Sequence, residues 1–145
     1  MDTTNKVTGL RGMSTVGTQM YLRFVTTRID EDSHEPEGVF VAAYRLLDSG
    51  DLTKDEWKRV RTILDWFNTH LPQPPDKFTA CRAIFWFKST AESSVKKIWE
   101  LVHVLRQHSH YVEIQKCRKL GNVLYEDEFQ VAAFPSKKDS RITTQ

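Results

Sequence analysis

No apolar run in this chain approaches the ~20 residues that a membrane-spanning helix needs, so no membrane partner is expected. Cysteine is scarce. Cys81 and Cys117 lie far apart and form neither a CxxC pair nor a Cys/His set of metal-ligand spacing, so no metal is expected. With no secretory-type apolar segment in the N-terminal stretch, they are expected as free, buried thiols in a reducing cytoplasm. Excess charge is missing too: 21 Lys+Arg against 19 Asp+Glu leave a formal net charge of +2. A balance that small creates no whole-protein field to draw in nucleic acid or a membrane surface. There is no catalytic or cofactor motif, no internal repeat and no linker, and no cofactor is expected.

What remains is ordinary globular composition, 39% hydrophobic and 28% charged, in 145 residues, enough for one domain with its own core. The polar, Gly/Thr-rich residues 1–18 read as a flexible arm, 19–134 as a single domain and 135–145 as a flexible tail. "QMYLRFVTTRID" alternates and is rich in β-branched and aromatic residues, which predicts a strand. In "EGVFVAAYRLLDSG", Val39, Phe40, Ala43, Leu46 and Leu47 share about 120° of a helical wheel, and Ser49-Gly50 stops the helix. Thr53 and Glu56 have capping-box spacing, with Leu52 placed to staple onto Trp57. The helix they open runs to about His70 on a stripe of Trp57, Val60, Ile63, Leu64, Phe67 and Leu71. The prolines of "LPQPP" end it. "CRAIFWFK" predicts a second strand, and "STAE" a second capping box, Ser89 to Glu92. The third helix then carries Val95, Ile98, Trp99, Val102 and Leu105 inward. "YVEIQKCRK" and "LYEDEFQVAAF" flank a Gly121-Asn122 turn and read as a hairpin. A two-residue loop there would set Val112 opposite Val131, Ile114 opposite Phe129, Lys116 opposite Asp127 and Arg118 opposite Tyr125.

The order is thus β-α-α-β-α-β-β. It predicts an α+β two-layer sandwich, about three helices on one face of a roughly four-stranded mixed sheet.

In "CRAIFWFK" the apolar residues fall on both parities. Arg82 and Lys88 bracket the even positions, so Ile84 and Trp86 are expected to face away from the helices and Phe85 and Phe87 toward them. Tyr21 and Arg23 join them on an aromatic, basic strip, although Glu113, Glu126 and Glu128 are predicted on the same face. Trp66 lies across the helical wheel from Trp57, beside Arg59, on a polar face. Cover within the monomer is the plainer explanation of either tryptophan.

Three functions follow as expectations. The leading one is a small non-enzymatic interaction or adaptor module acting through protein–protein contacts. It would bind a protein partner or a second copy through the open sheet face, with Trp86, Ile84, Arg82, Tyr21 and Arg23, and through Trp66 and Arg59 on the helix. The second is single-stranded RNA binding by the same strip, which the glutamates oppose. The third is an enzyme with a polar pocket of Lys116, Arg118, Tyr125 and Asp127 near the hairpin tip, against which a peripheral ion pair is the plainer account. His103, His108 and His110 lack the i, i+4 spacing of a helical metal pair. The acidic run Asp30–Glu37 lacks the pattern of a calcium loop. Cys117 between Lys116 and Arg118 reads as a structural thiol, because strand neighbours point to opposite faces.

Overall fold

The computed structural model describes residues 19–31, 34–75, 83–134 and 141–144. Along them run β1 (Tyr21–Ile29), β2 (Pro36–Gly38), α1 (Val39–Ser49), α2 (Lys54–His70), β3 (Ile84–Lys88), α3 (Glu92–Gln107), β4 (Glu113–Cys117), β5 (Val123–Glu126), β6 (Gln130–Ala133) and β7 (Arg141–Thr144). The α+β class is as expected, but the sheet is larger than four strands. Its order is β5-β6-β3-β1-β4-β7, with β2 attached to β1. Every neighbouring pair described is antiparallel, where a mixed sheet was expected.

Helix ends explain which boundaries were readable. α1 stops at Gly50, whose φ of 82° is left-handed and suits a residue without Cβ. At α2 the capping box forms in full: Glu56 N–H donates to Thr53 Oγ1 at 3.2 Å, and Thr53 N–H to Glu56 Oε1 at 2.9 Å. The second predicted box does not form. α3 begins after Ala91 without a side-chain cap, and Ser89 Oγ instead lies 3.4 Å from the Met20 N–H it accepts. Ser89 and Thr90 are consumed by the turn out of β3, where Ala91 N–H donates to Lys88 O.

Ring contacts join the start of α1 to the end of α2, where Phe40 meets Phe67 edge-on at 4.9 Å. His108, just past α3, reaches Glu56 at the start of α2, and Lys97 near the start of α3 lies over Trp66 near the end of α2. α2 is therefore antiparallel to both α1 and α3, and these two run parallel to each other. Their inner faces, with Val60, Leu64, Phe67, Ile98, Val102 and Leu105, close on Phe24 and Ile114 of the sheet.

The predicted β4–β5 hairpin does not form. Both edges of β4 are taken, one by β1 and the other by β7, which comes from the segment expected as a tail. "LYEDEFQVAAF" is not one strand either. Asp127 Oδ1 accepts the N–H groups of Phe129 (2.8 Å) and Gln130 (3.0 Å), and this turn splits it into the β5–β6 hairpin. β3 and β4 run parallel, since each is antiparallel to β1, but β1 lies between them.

This topology explains "IFWFK". β3 is central, paired to β6 on one edge and β1 on the other. Phe87 packs with Phe40 and Phe67 under the helices. On the opposite face Ile84, Trp86, Cys117, Leu120, Val131 and Ala133 form a second cluster, with Tyr21 against it. A strand buried on both faces has no reason to alternate.

β1 and β3 pair over only two positions, Tyr21–Lys88 and Leu22–Phe87. Beyond them the strands part, and from Val25 the same edge of β1 pairs with β2 instead. The sheet is forked at Arg23–Phe24, and α1 starts at the fork.

Candidate functional site

The direction expected for β3 holds, but the open face does not. Trp86 is 1% exposed, and Ile84 and Arg23 are also buried within the single chain. Tyr21 is half-buried against the same cluster. Burial raises its phenol pKa first, with Glu126 and Cys117 adding to the effect. Arg82 lies outside the described residues. The strip expected to meet a partner is, at its described residues, a second core. The physical reason is that β3 is interior to the sheet: its Trp86 sits directly beside Val131, and its Ile84 beside Ala133.

Trp66 is also not a free anchor. It packs against the main core, edge-on to Phe67 at 5.0 Å and stacked on His70 at 4.4 Å, with Lys97 Nζ 5.9 Å from its ring. Trp57, which the wheel placed inward, is 43% exposed. The two tryptophans exchange their expected places because α2 meets α1 on one side and α3 on another. Its contact arc therefore extends past Phe67 to Trp66 and leaves Trp57 at the margin.

The proposed polar pocket is not assembled. Tyr125 Oη donates to Asp127 Oδ2 at 2.8 Å, and Gln130 Nε2 donates to the same oxygen at 3.0 Å. Burial opposes ionisation of Asp127, but the N–H of Phe129 and the donors of Gln130 and Tyr125 outweigh it and hold its pKa below the usual carboxylate value. The same hydrogen bond raises the Tyr125 pKa. Lys116 instead stands opposite Leu22 and Ile142, with β1 and β3 between β4 and β6, and Arg118 is exposed past the end of β4. The Lys116–Asp127 pair fails because the hairpin that would create it fails.

Cys117 is fully buried, and its thiol donates to Lys119 O at 3.1 Å. Among the described residues no three His, Cys, Asp or Glu side chains converge. No helix among them is long and apolar enough to cross a membrane.

An exposed aromatic–basic surface lies elsewhere, on α3. Trp99 leans edge-on against Phe24 at 5.4 Å yet stays 41% exposed. Lys96, Trp99, Glu100 and His103 fall on one stripe of the helix, spaced i, i+3, i+4 and i+7. With Arg59 of α2 they line an open groove of about 430 Å³. The Arg106 guanidinium stands 5.7 Å over the Trp99 ring while donating to Val112 O at 2.9 Å. From there a second groove, of about 520 Å³, continues past His110 to the exposed Tyr111. Of the predicted contact residues that are described, only Arg59 belongs to this surface. Its sequence signal was present but unread: polar Lys96, Glu100 and His103 around Trp99 put the ring on the boundary of the apolar stripe rather than inside it.

Set against models of protein families, curated proteins and solved structures, the chain matches none of them.

Proposed function

We propose that this chain is a non-enzymatic interaction module acting through protein–protein contacts made by the outer face of α3, self-association included. One observation carries the reading: Trp99 is held half out of the core among Arg59, Lys96, His103 and Arg106. A large ring kept at the surface beside an arginine is the usual anchor of an interface. The groove also carries both signs of charge, Glu100 as well as Lys96 and Arg59. A two-fold pairing of copies can therefore match the acid of one with the bases of the other around the two indoles.

Light scattering across a concentration series tests this. The wild-type chain is expected to shift from monomer toward dimer mass, and Trp99→Glu to remain monomeric with its helical circular dichroism intact. Lys96→Glu weakens association, and the added Glu100→Lys restores it. A wild type that stays monomeric throughout, or a Trp99→Glu protein that dimerises equally well, refutes self-association through this face.

Single-stranded RNA binding is favoured by the same band, since bases stack on exposed rings flanked by cations. Glu100 and Glu113 count against it, by repelling a phosphate chain. This reading requires salt-dependent RNA binding lost on Trp99→Ala; no binding at low salt removes it. No catalytic role is proposed for the hairpin tip, where Tyr125 and Asp127 serve a turn.

A further inference from the structure

Along the outer face of α3, Glu92, Lys96, Trp99, His103 and Arg106 are all exposed. They follow one another at alternating steps of four and three residues. That alternation is the spacing of a seam along which one helix packs on another. Its centre is aromatic and both its arms are charged.

The seam is close to symmetric about Trp99. Glu92 and Arg106 stand seven residues to either side of it, and Lys96 and His103 three and four. Against a second α3 running antiparallel, with the two-fold axis at the indole, Glu92 of one copy lies opposite Arg106 of the other. Lys96 then lies opposite His103, and the two Trp99 rings meet at the axis. Glu92 and Arg106 attract. The Arg106 guanidinium donates through Nη2 to Val112 O and keeps further N–H groups for this acid. A parallel pairing would set Lys96 on Lys96 and Arg106 on Arg106, which like charges oppose. The order of charges therefore favours the antiparallel copy.

Only the match of Lys96 with His103 can change sign near neutral pH. The groove around it is lined by Arg59 of α2 and by Lys96, Trp99, Glu100 and His103 of α3, so it holds a single histidine. Histidine is the side chain whose charge ordinarily changes between pH 5 and 8. A neutral ring nitrogen accepts a hydrogen bond from the Lys96 ammonium of the other copy. A protonated ring sets a cation against that ammonium, with Arg59 in the same groove and only Glu100 to offset them. Nearby groups do not reverse this. Glu56 of α2 is taken by His108 and by the Thr53 cap, and Arg106, over the Trp99 ring, is a further cation.

We propose, building on self-association through this face, that two copies pair antiparallel along α3 and that His103 makes the pairing acid-sensitive. Association stands with the imidazole neutral and is lost as pH falls through its titration. Each dimer contains the contact of Lys96 with His103 twice, so acid opposes association twice.

Light scattering of the full chain at fixed salt, at about pH 7.5 and about pH 5.5, tests the proposal. The wild-type dimer dissociation constant should rise at least about tenfold at the lower pH, from two equal cation–cation contacts. His103→Gln keeps an acceptor but cannot gain a charge, so its constants at the two pH values should agree within about twofold. His108→Gln, off the seam, should keep the wild-type response, which separates it from any change in the His108–Glu56 pair. Glu92→Gln should weaken association at both pH values by losing Arg106, whereas a parallel pairing, with Glu92 on Glu92, requires it to tighten. The proposal is overturned by a wild-type constant that moves less than about twofold, or by a His103→Gln protein as acid-sensitive as the wild type. Tighter association of Glu92→Gln overturns it as well. Each of these results leaves the α3 face itself standing, while a wild type that is monomeric at both pH values removes the face and the proposal together.

Discussion

Trp86→Ala separates a core residue from a contact residue, and its size can be worked from the structure. The side chain is 1% exposed, flanked by Val131 and packed with Ile84 and Cys117. Removing about 200 Å² of buried ring surface at ~25 cal/mol per Å² sets a scale of ~5 kcal/mol. Extended-chain references overstate burial, and an enclosed cavity adds a cost of its own, so about 3–5 kcal/mol is expected. That is a large share of the ~5–15 kcal/mol that holds a domain folded. At about 3 °C per kcal/mol for a chain of this length, the melting temperature should fall by roughly 10–15 °C. Trp99→Ala should cost only about 1–2 kcal/mol, because two-fifths of that side chain is already wet and no closed cavity remains. Urea unfolding followed by far-ultraviolet circular dichroism compares the two without relying on tryptophan emission. A Trp86→Ala cost under about 1 kcal/mol, or one no greater than that of Trp99→Ala, would show that Trp86 is not in a core.

The two predicted capping boxes differ in outcome, and so should their variants. Thr53→Ala should lose about 1 kcal/mol, whereas Ser89→Ala, whose hydroxyl caps no helix, should lose less; equal losses in chemical denaturation would contradict the assignment. Asp127 has a folded pKa below its ordinary value of 3.8. Its contribution is thus complete above that ordinary value and is lost as pH falls through the lower folded one. Asp127→Asn should therefore flatten the acid limb of the stability curve from about pH 4 downward, and an unchanged limb would refute the link. Lys88 Nζ and Glu126 Oε2 are 2.5 Å apart, but Glu126 is half-exposed. Glu126→Gln should change stability by less than about 1 kcal/mol, and a larger loss would mean the pair is coupled to the buried face beneath it.

Local signals were readable where the chain satisfies itself locally. The α1 stop at Gly50, the Thr53–Glu56 box and the inward stripe of α2 from Val60 to Phe67 all rest on neighbours within one turn, and all appear as expected. Failures occurred where one local signal met a competing partner. Ser89 had the spacing of a cap but is used by the turn and by Met20. Lys116 and Asp127 had matching charges, yet β1 and β7 occupy the edges of β4 first. Of the candidate site, Arg59 was named, and Trp99 was expected inside the apolar stripe although it stands at its edge, 41% exposed. Glu37, which is buried, was read only as part of an acidic run, since nothing in a sequence reports which carboxylate loses its solvent.

Composition, helix periodicity and side-chain parity were thus enough to determine an α+β chain, its three helices and the two directions of "IFWFK". Each depends on the geometry of a single element, and a sequence carries that in full. Whether Trp86 was open or buried depended on which strands came to lie beside β3. The fork in the sheet likewise exists only because β1 exchanges one partner strand for another at Arg23–Phe24. Strand order and pairing are agreements between segments distant in the chain, set by competition for the same edges and faces, and only the tertiary structure decided them.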